Sequence, residues 1–183
     1  MPRQSPQPKG VRRHQVLEAA SVVLLRHGHD GLTMEAVASE AKLAKGTVYL
    51  YFSSKQALLD GLRTDLVRQM MAGPQALLQD AALRWAERLD GLVEAWMRFD
   101  AEHMPLFHAV FHEGPQSEGP DAGLEPCLAA LESVLRGGKH SGEFSIGDAT
   151  MTARFLLHGY SGVCMHPAAA LHTHTAGQDH AVH

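Results

Sequence analysis

Apolar positions along this chain recur at the three-to-four-residue spacing of helices, and no segment alternates with period two over a useful length, so the pattern predicts an all-α protein. Val16, Ala19, Ala20, Val23 and Leu24 mark a first helix from Val11 to about His27, stopped near Gly28 and Gly31. Thr33 is placed to cap a second helix with Met34, Val37, Ala38 and Ala41 on its inner face. Glu35 falls in its first turn, where a carboxylate meets the amide end favourably. A third short helix fits residues 44–51, and a longer one begins at Ser54 or Lys55 with Leu58, Leu59, Leu62 and Leu66 as its packing stripe, until Gly73-Pro74 interrupts it. Leu77 to His103 then reads as one amphipathic helix, and Pro105 opens a short further one through Glu113. After a polar loop, EGPQSEGPDAG, two more helices are expected at about Leu124 to Leu135 and Asp148 to His166. The glycine-rich turn GGKHSGEFSIG separates them, and a fraying tail follows.

Charge divides this row of helices in two. Up to Lys55 the chain holds eight Lys/Arg against four acids, a net of +4; the remainder holds eight against sixteen, a net of −8. A polyanion is attracted to the first part and repelled by the second. The 183 residues suffice for a small domain joined to a larger one, and 45% hydrophobic residues leave material for a core. There is no run of 18 apolar residues, and the opening MPRQSPQPKG lacks a secretory apolar segment, so a cytoplasmic location is expected. Cys127 and Cys164 are too few and too far apart for a disulfide framework or a thiolate metal site.

The basic part carries the most informative chemistry. Two helices joined by a few residues can lay one across a DNA backbone and set the other in the major groove. The start of the second, Ala44, Lys45, Gly46 and Thr47, is then nearest the bases. Lys45 suits a guanine acceptor or a phosphate, and the sequence leaves both open. Gly46 permits close backbone approach, while Thr47 offers a hydroxyl and a methyl. Tyr49 and Tyr51 can present phenols to phosphates with their rings partly buried, and Phe52 packs inward. Lys55 at a helix start, with Arg12 and Arg13 on the first helix, can add phosphate contacts, with Arg3 or Lys9 trailing near the minor groove. Thr33, at the mouth of the second helix, is counted with this set. Two-helix turns also occur as plain packing, and a protein-binding adaptor is the alternative class; salt-sensitive binding to duplex DNA separates the two.

The segment resembles the DNA-binding head of the TetR family of bacterial transcription regulators. The family pattern stands here as Thr33, Val37-Ala38, Ala41-Lys42-Leu43, Gly46-Thr47-Val48-Tyr49-Leu50-Tyr51-Phe52 and Lys55-Gln56-Ala57-Leu58, over about 50 residues. Two positions depart from it. Lys42 stands where glycine is usual in the turn, at a strain of order 1 kcal/mol if positive φ is kept, and Ala44 replaces the commoner Ser or Thr cap. The resemblance implies a helix-turn-helix DNA-binding domain at 11–55 and a helical effector-binding and dimerisation domain at 56–183. It also implies a homodimer through about 121–136 and 148–166, where Leu128, Leu131, Leu135, Phe155, Leu156, Gly159, Gly162 and Val163 supply apolar and small surfaces.

The same resemblance places a pocket for a small hydrophobic or amphipathic effector in the body. Its candidate lining is Trp85, Trp96, Phe99, Met104, Phe107, Phe111 and Phe155, with His103, His108 and His158 as polar fixtures. Expected is a repressor released from a palindromic operator when its effector binds. The spacing of His108 and His112, with His103, Glu113 or His158 nearby, is weak support for a metal, and no metal or cofactor is assigned. Enzyme signatures are missing from the sequence: it has no Gly-rich phosphate loop, His-Glu-x-x-His element or nucleophile elbow.

Overall fold

In a computed structural model of the chain, residues 9–111, 113 and 123–164 are described, and they form eight helices without a strand among them. Helix α1 (Lys9–Gly31) breaks stride at Gly28, which takes φ 64°, so the expected stop appears as a kink that glycine permits. Thr33 Oγ1 accepts the Ala36 amide at 3.1 Å and so caps α2 (Met34–Glu40). The α2 end is closed from α1, where Gln15 Nε2 donates to the Ala41 carbonyl at 2.9 Å. Lys42 takes φ 55°, the left-handed turn that glycine would enter without strain. Helix α3 (Lys45–Tyr49) ends two residues before its sequence pattern predicts, and Ala44 gives it no side-chain cap.

Helix α4 (Lys55–Ala72) starts from Ser54, whose hydroxyl accepts the Ala57 amide at 3.1 Å. It packs on α1, and on α6 and α7 below, so it crosses from the first core to the second. The first core gathers the inner faces of α1 and α2 with Val48, Phe52, Leu58, Leu59 and Leu62. It also takes in Ala109 and Val110 from the far end of α6. Packing is therefore continuous across residue 55.

Further expectations need correction. Leu77 to His103 is not one helix: α5 (Gln75–Gln79) stops, and α6 (Trp85–Phe111) starts only after a turn. Carboxylates define that start, with Glu87 accepting the Arg84 amide at 2.7 Å and Glu143 accepting Trp85 and Ala86 at 3.3 Å each. Nor does Pro105 begin a new helix, because α6 runs through it. Proline forfeits one backbone bond and crowds the preceding turn. Here the end of the helix is held by burial of Phe107, Ala109 and Val110 and by side chains from two other helices that bind its last carbonyls.

Helix α7 (Glu125–Ser141) likewise outruns the expected glycine-rich turn and ends at Gly142, φ 82°. Gly137 and Gly138 lie within it because rings cover them. A Cβ on Gly137 would meet Trp85 at 2.3 Å, and one on Gly138 would meet Phe144 at 2.1 Å. Asp148 leads into α8 (Ala149–Cys164), its carboxylate accepting the Met151 amide at 2.8 Å. Val67, Leu92, Trp96, Phe107, Cys127, Leu131, Leu135 and Leu157 are central to the second core. No helix among the described residues is long and apolar enough to cross a membrane.

Candidate DNA interface and effector body

Val48 is fully buried at the centre of α3, and that anchor turns the rest of the helix outward. Ala44, Lys45, Gly46 and Tyr49 are exposed, Thr47 half-buried, and Leu50 stands 82% exposed just beyond the helix. The Lys45 ammonium is bound by the Glu35 carboxylate from α2 and lies 5.8 Å from the centre of the Tyr49 ring. The hydrogen bond to that ammonium draws the Glu35 pKa below the ordinary carboxylate value, and the same bond raises that of Lys45. Tyr51 packs part of its ring on the head core, and Phe52 is buried.

Arg12 and Arg13 are half-exposed near the start of α1. Arg13 places its guanidinium 5.1 Å from the Phe52 ring centre, while Arg12 donates to Gln15 at 3.0 Å. Arg13 therefore flanks the α3–α4 junction. Lys55 is turned differently: its ammonium donates to the His29 carbonyl, which ties the start of α4 to the kinked end of α1. Thr33 spends its hydroxyl on the α2 cap. Arg3 lies outside the described residues, as does the Lys9 side chain.

Residues 16–62 match the family model of bacterial regulatory proteins of the tetR family. An HTH-type transcriptional regulator of Mycobacterium tuberculosis is 35% identical over 161 residues, covering 85% of this chain and 76% of that one. The chain belongs to the TetR family. It is thus a DNA-binding transcription regulator and not an enzyme. The HTH-type transcriptional activator FasR of Mycolicibacterium smegmatis is 28% identical over 127 residues, 69% of this chain and 54% of its own. The fold is shared with the transcriptional regulator FadR from Bacillus subtilis, solved with stearoyl-CoA, at TM-score 0.73 and 22% identity, covering 83% of this chain and 84% of that one.

In the body of this TetR-family chain the predicted effector residues lie in several different surroundings among the described residues. Trp96 is buried and lines a groove of about 650 Å³ with Leu89, Val93 and Met97 of α6, Leu131 of α7, and Leu156, Gly159 and Tyr160 of α8. Phe99 stacks on His103 at 4.1 Å, and Phe107 on Phe111 at 4.4 Å, deeper along α6. Phe155 is 77% exposed and His158 is exposed, so both face away from the interior. Met104 is also exposed, and Trp85 covers Gly137. A second cleft, about 780 Å³, opens beside Thr64, Val67, Arg68 and Met71 of α4, with Leu78 and Pro126 opposite.

The proposed dimer surfaces separate in the same way. Leu131 and Leu135 are buried within the protomer, while Met151, Phe155 and Leu156 leave an apolar face on α8. The exposure of Gly162 and the side chain of Val163 lie outside what is described.

Sequence reading missed the buried polar residues. Asp100 is buried where α6 meets α7 and α8; it accepts the Tyr160 hydroxyl through one oxygen, and its other oxygen has no hydrogen-bond partner among the described residues. Burial pushes its pKa above the ordinary value despite that bond. Burial, followed by the Asp100 charge, pushes the Cys127 thiol up to about 12, which leaves it an inert core group. Arg63, buried on α4, donates to the Val110 carbonyl at 3.1 Å and to Asp60 at 2.8 Å. The available signal was a charged residue interrupting an apolar stripe, Asp100 four places after Trp96 and Arg63 beside Leu62. His108 is 3.1 Å from Glu113, and His112 lies outside the described residues. Among the described residues no three His, Cys, Asp or Glu side chains gather as a metal site.

Proposed function

We propose that the protein is a cytoplasmic, dimeric repressor that reads a palindromic operator with the exposed face of α3 and is released when a small hydrophobic or amphipathic effector enters the body. The observation carrying the DNA-reading part is the projection of Lys45, Gly46, Thr47 and Tyr49 around the buried Val48 anchor. In such docking Lys45 and Thr47 reach base edges or phosphates, Gly46 lets the backbone approach, and Tyr49 and Tyr51 hold phosphates. Ala44, Arg12 and Arg13 flank this surface. Thr33 and Lys55 act by fixing α2 and α4, through the cap and the His29 carbonyl.

Residues 11–55 form the DNA-binding unit and 56–183 the effector and dimer unit. The exposed Met151, Phe155 and Leu156 face supports two-fold pairing through α8, which doubles the DNA contacts. An effector beside α4 or α6 has a short path to the head. Arg63 joins α4 to the Val110 carbonyl, and His29 of α1 is 2.6 Å from the Ala109 carbonyl. A ligand favouring one arrangement of these contacts shifts the spacing of the two heads.

Selection of bound duplexes from a random DNA library tests the reading. A two-fold repeat whose binding weakens on raising salt, and weakens further in Lys45→Ala and Tyr49→Ala, is the expected result. Absence of duplex binding at low salt by the folded protein overturns it. Repressor polarity is decided by transcription from a promoter bearing the selected site, since FasR is an activator. The stearoyl-CoA of FadR makes a long-chain acyl thioester a reasonable first probe for release.

A further inference from the structure

Glu35 poses a problem for a DNA interface, because α2 is the helix that crosses a polyanionic backbone and an exposed carboxylate there is repelled by it. Its geometry supplies the answer. The carboxylate reaches across the turn to the ammonium of Lys45, at the start of the reading helix, and the same ammonium lies over the Tyr49 ring, 5.8 Å from its centre. A lysine stem otherwise samples many rotamers and finds any phosphate in reach. Bound by a carboxylate and lying over an aromatic face, it has fewer positions and a partly neutralised charge.

We propose that Glu35 is a specificity-determining positioning residue, which acts through Lys45 to favour contact with the chosen sequence over contact with any phosphate. The inference rests on the DNA-reading role of α3. The pair remains largely exposed, with side-chain accessibilities of 53% for Lys45 and 61% for Glu35, so both groups can meet DNA without unfolding the head. Glu35 therefore lowers affinity for unrelated duplex, and it lowers affinity for the operator less. Releasing the ammonium lets it take one more phosphate, and each such contact steepens the dependence of log K on log salt by about 0.9.

The test compares wild type, Glu35→Gln, Lys45→Gln, the double variant and Glu40→Gln as a charge control, since Glu40 pairs with Arg26 away from the reading helix. Each is titrated with the selected operator and with a scrambled duplex over a salt series. Expected is a roughly tenfold fall in the operator-to-scrambled ratio for Glu35→Gln, within the range set by one lost base contact. Its salt slope on scrambled DNA steepens by about one unit. In the Lys45→Gln background the Glu35 change has no further effect on the ratio, and Glu40→Gln strengthens both duplexes alike. If Glu35→Gln also strengthens both equally, Glu35 is a plain surface charge and the proposal falls. If wild type binds neither duplex, it is the DNA-reading role that fails.

Discussion

The head turns its functional polar groups outward, with Lys45 and Tyr49 exposed on either side of a buried Val48, whereas the body encloses Asp100, the Trp96 ring nitrogen and Arg63. A surface that meets a polyanion needs side chains placed by one short helix on a local core. A cavity needs walls from distant parts of the chain, such as Trp96, Leu131 and Tyr160. The first arrangement is fixed by a few neighbouring residues; the second depends on how whole helices pack.

The largest test asks whether these regions are thermodynamically separate. Leu58 is fully buried in the head core, and Leu58→Ala should cost about 2–5 kcal/mol in urea denaturation. Since α4 and α6 contribute to both cores, hydrogen exchange should rise in the body as well as the head. Exchange confined to residues before α4 would break the continuity described here.

Arg63→Met removes the donor shared by Val110 and Asp60 while keeping most of the apolar stem. A loss of about 1–3 kcal/mol is expected in the same denaturation assay. Operator affinity should change as well, although Arg63 lies away from α3. Unchanged stability would show that the α4–α6 tie contributes nothing measurable.

Smaller effects come from the two departures at the reading turn. Lys42→Gly relieves the φ 55° backbone, and Ala44→Ser offers α3 the cap it lacks. Each should stabilise by about 1 kcal/mol in thermal unfolding, the first reduced by the extra freedom glycine gives the unfolded chain. A destabilising Lys42→Gly would mean that the lysine side chain holds the turn.

The subtlest contrast is in pH. Burial raises the Asp100 pKa from its ordinary 3.8. Above that value the unfolded chain gives up this proton first and binds fewer protons than the folded one, so stability falls as pH rises until the folded carboxyl also ionises. Asp100→Asn does not titrate, and its stability relative to wild type should therefore climb with pH from 3.8 upward. A difference that declines across that window would contradict the burial of the charge.

The legibility of the sequence follows the same division. Thr33 and the Met34–Val37–Ala38 face act within one or two turns, so the α2 cap and the head helices were readable, while Ser54 was readable only as a place where α4 begins. Pro105 and Gly137-Gly138 misled because their local breaking tendency is overridden by contacts outside their own helix: His29 and Arg63 for the first, Trp85 and Phe144 for the glycines. Phe155 carried the composition of a pocket residue, yet its exposed position on α8 depends on how α7 and α6 cover the opposite face. The Glu35–Lys45 pair spans a turn whose geometry, at Lys42, no periodicity encodes.

Both tryptophans of the chain, Trp85 and Trp96, lie on α6, and the head has none. Intrinsic emission is consequently a one-sided reporter. Trp85, beneath the Arg88 guanidinium, and Trp96, 6.0 Å from Tyr160, sense the body alone. A spectral change on adding operator duplex cannot arise from a base stacked on either ring if DNA touches only the head; it must be news that has travelled through α4 and α6. The native protein thus carries its own optical readout of communication between its two ends, with no label attached.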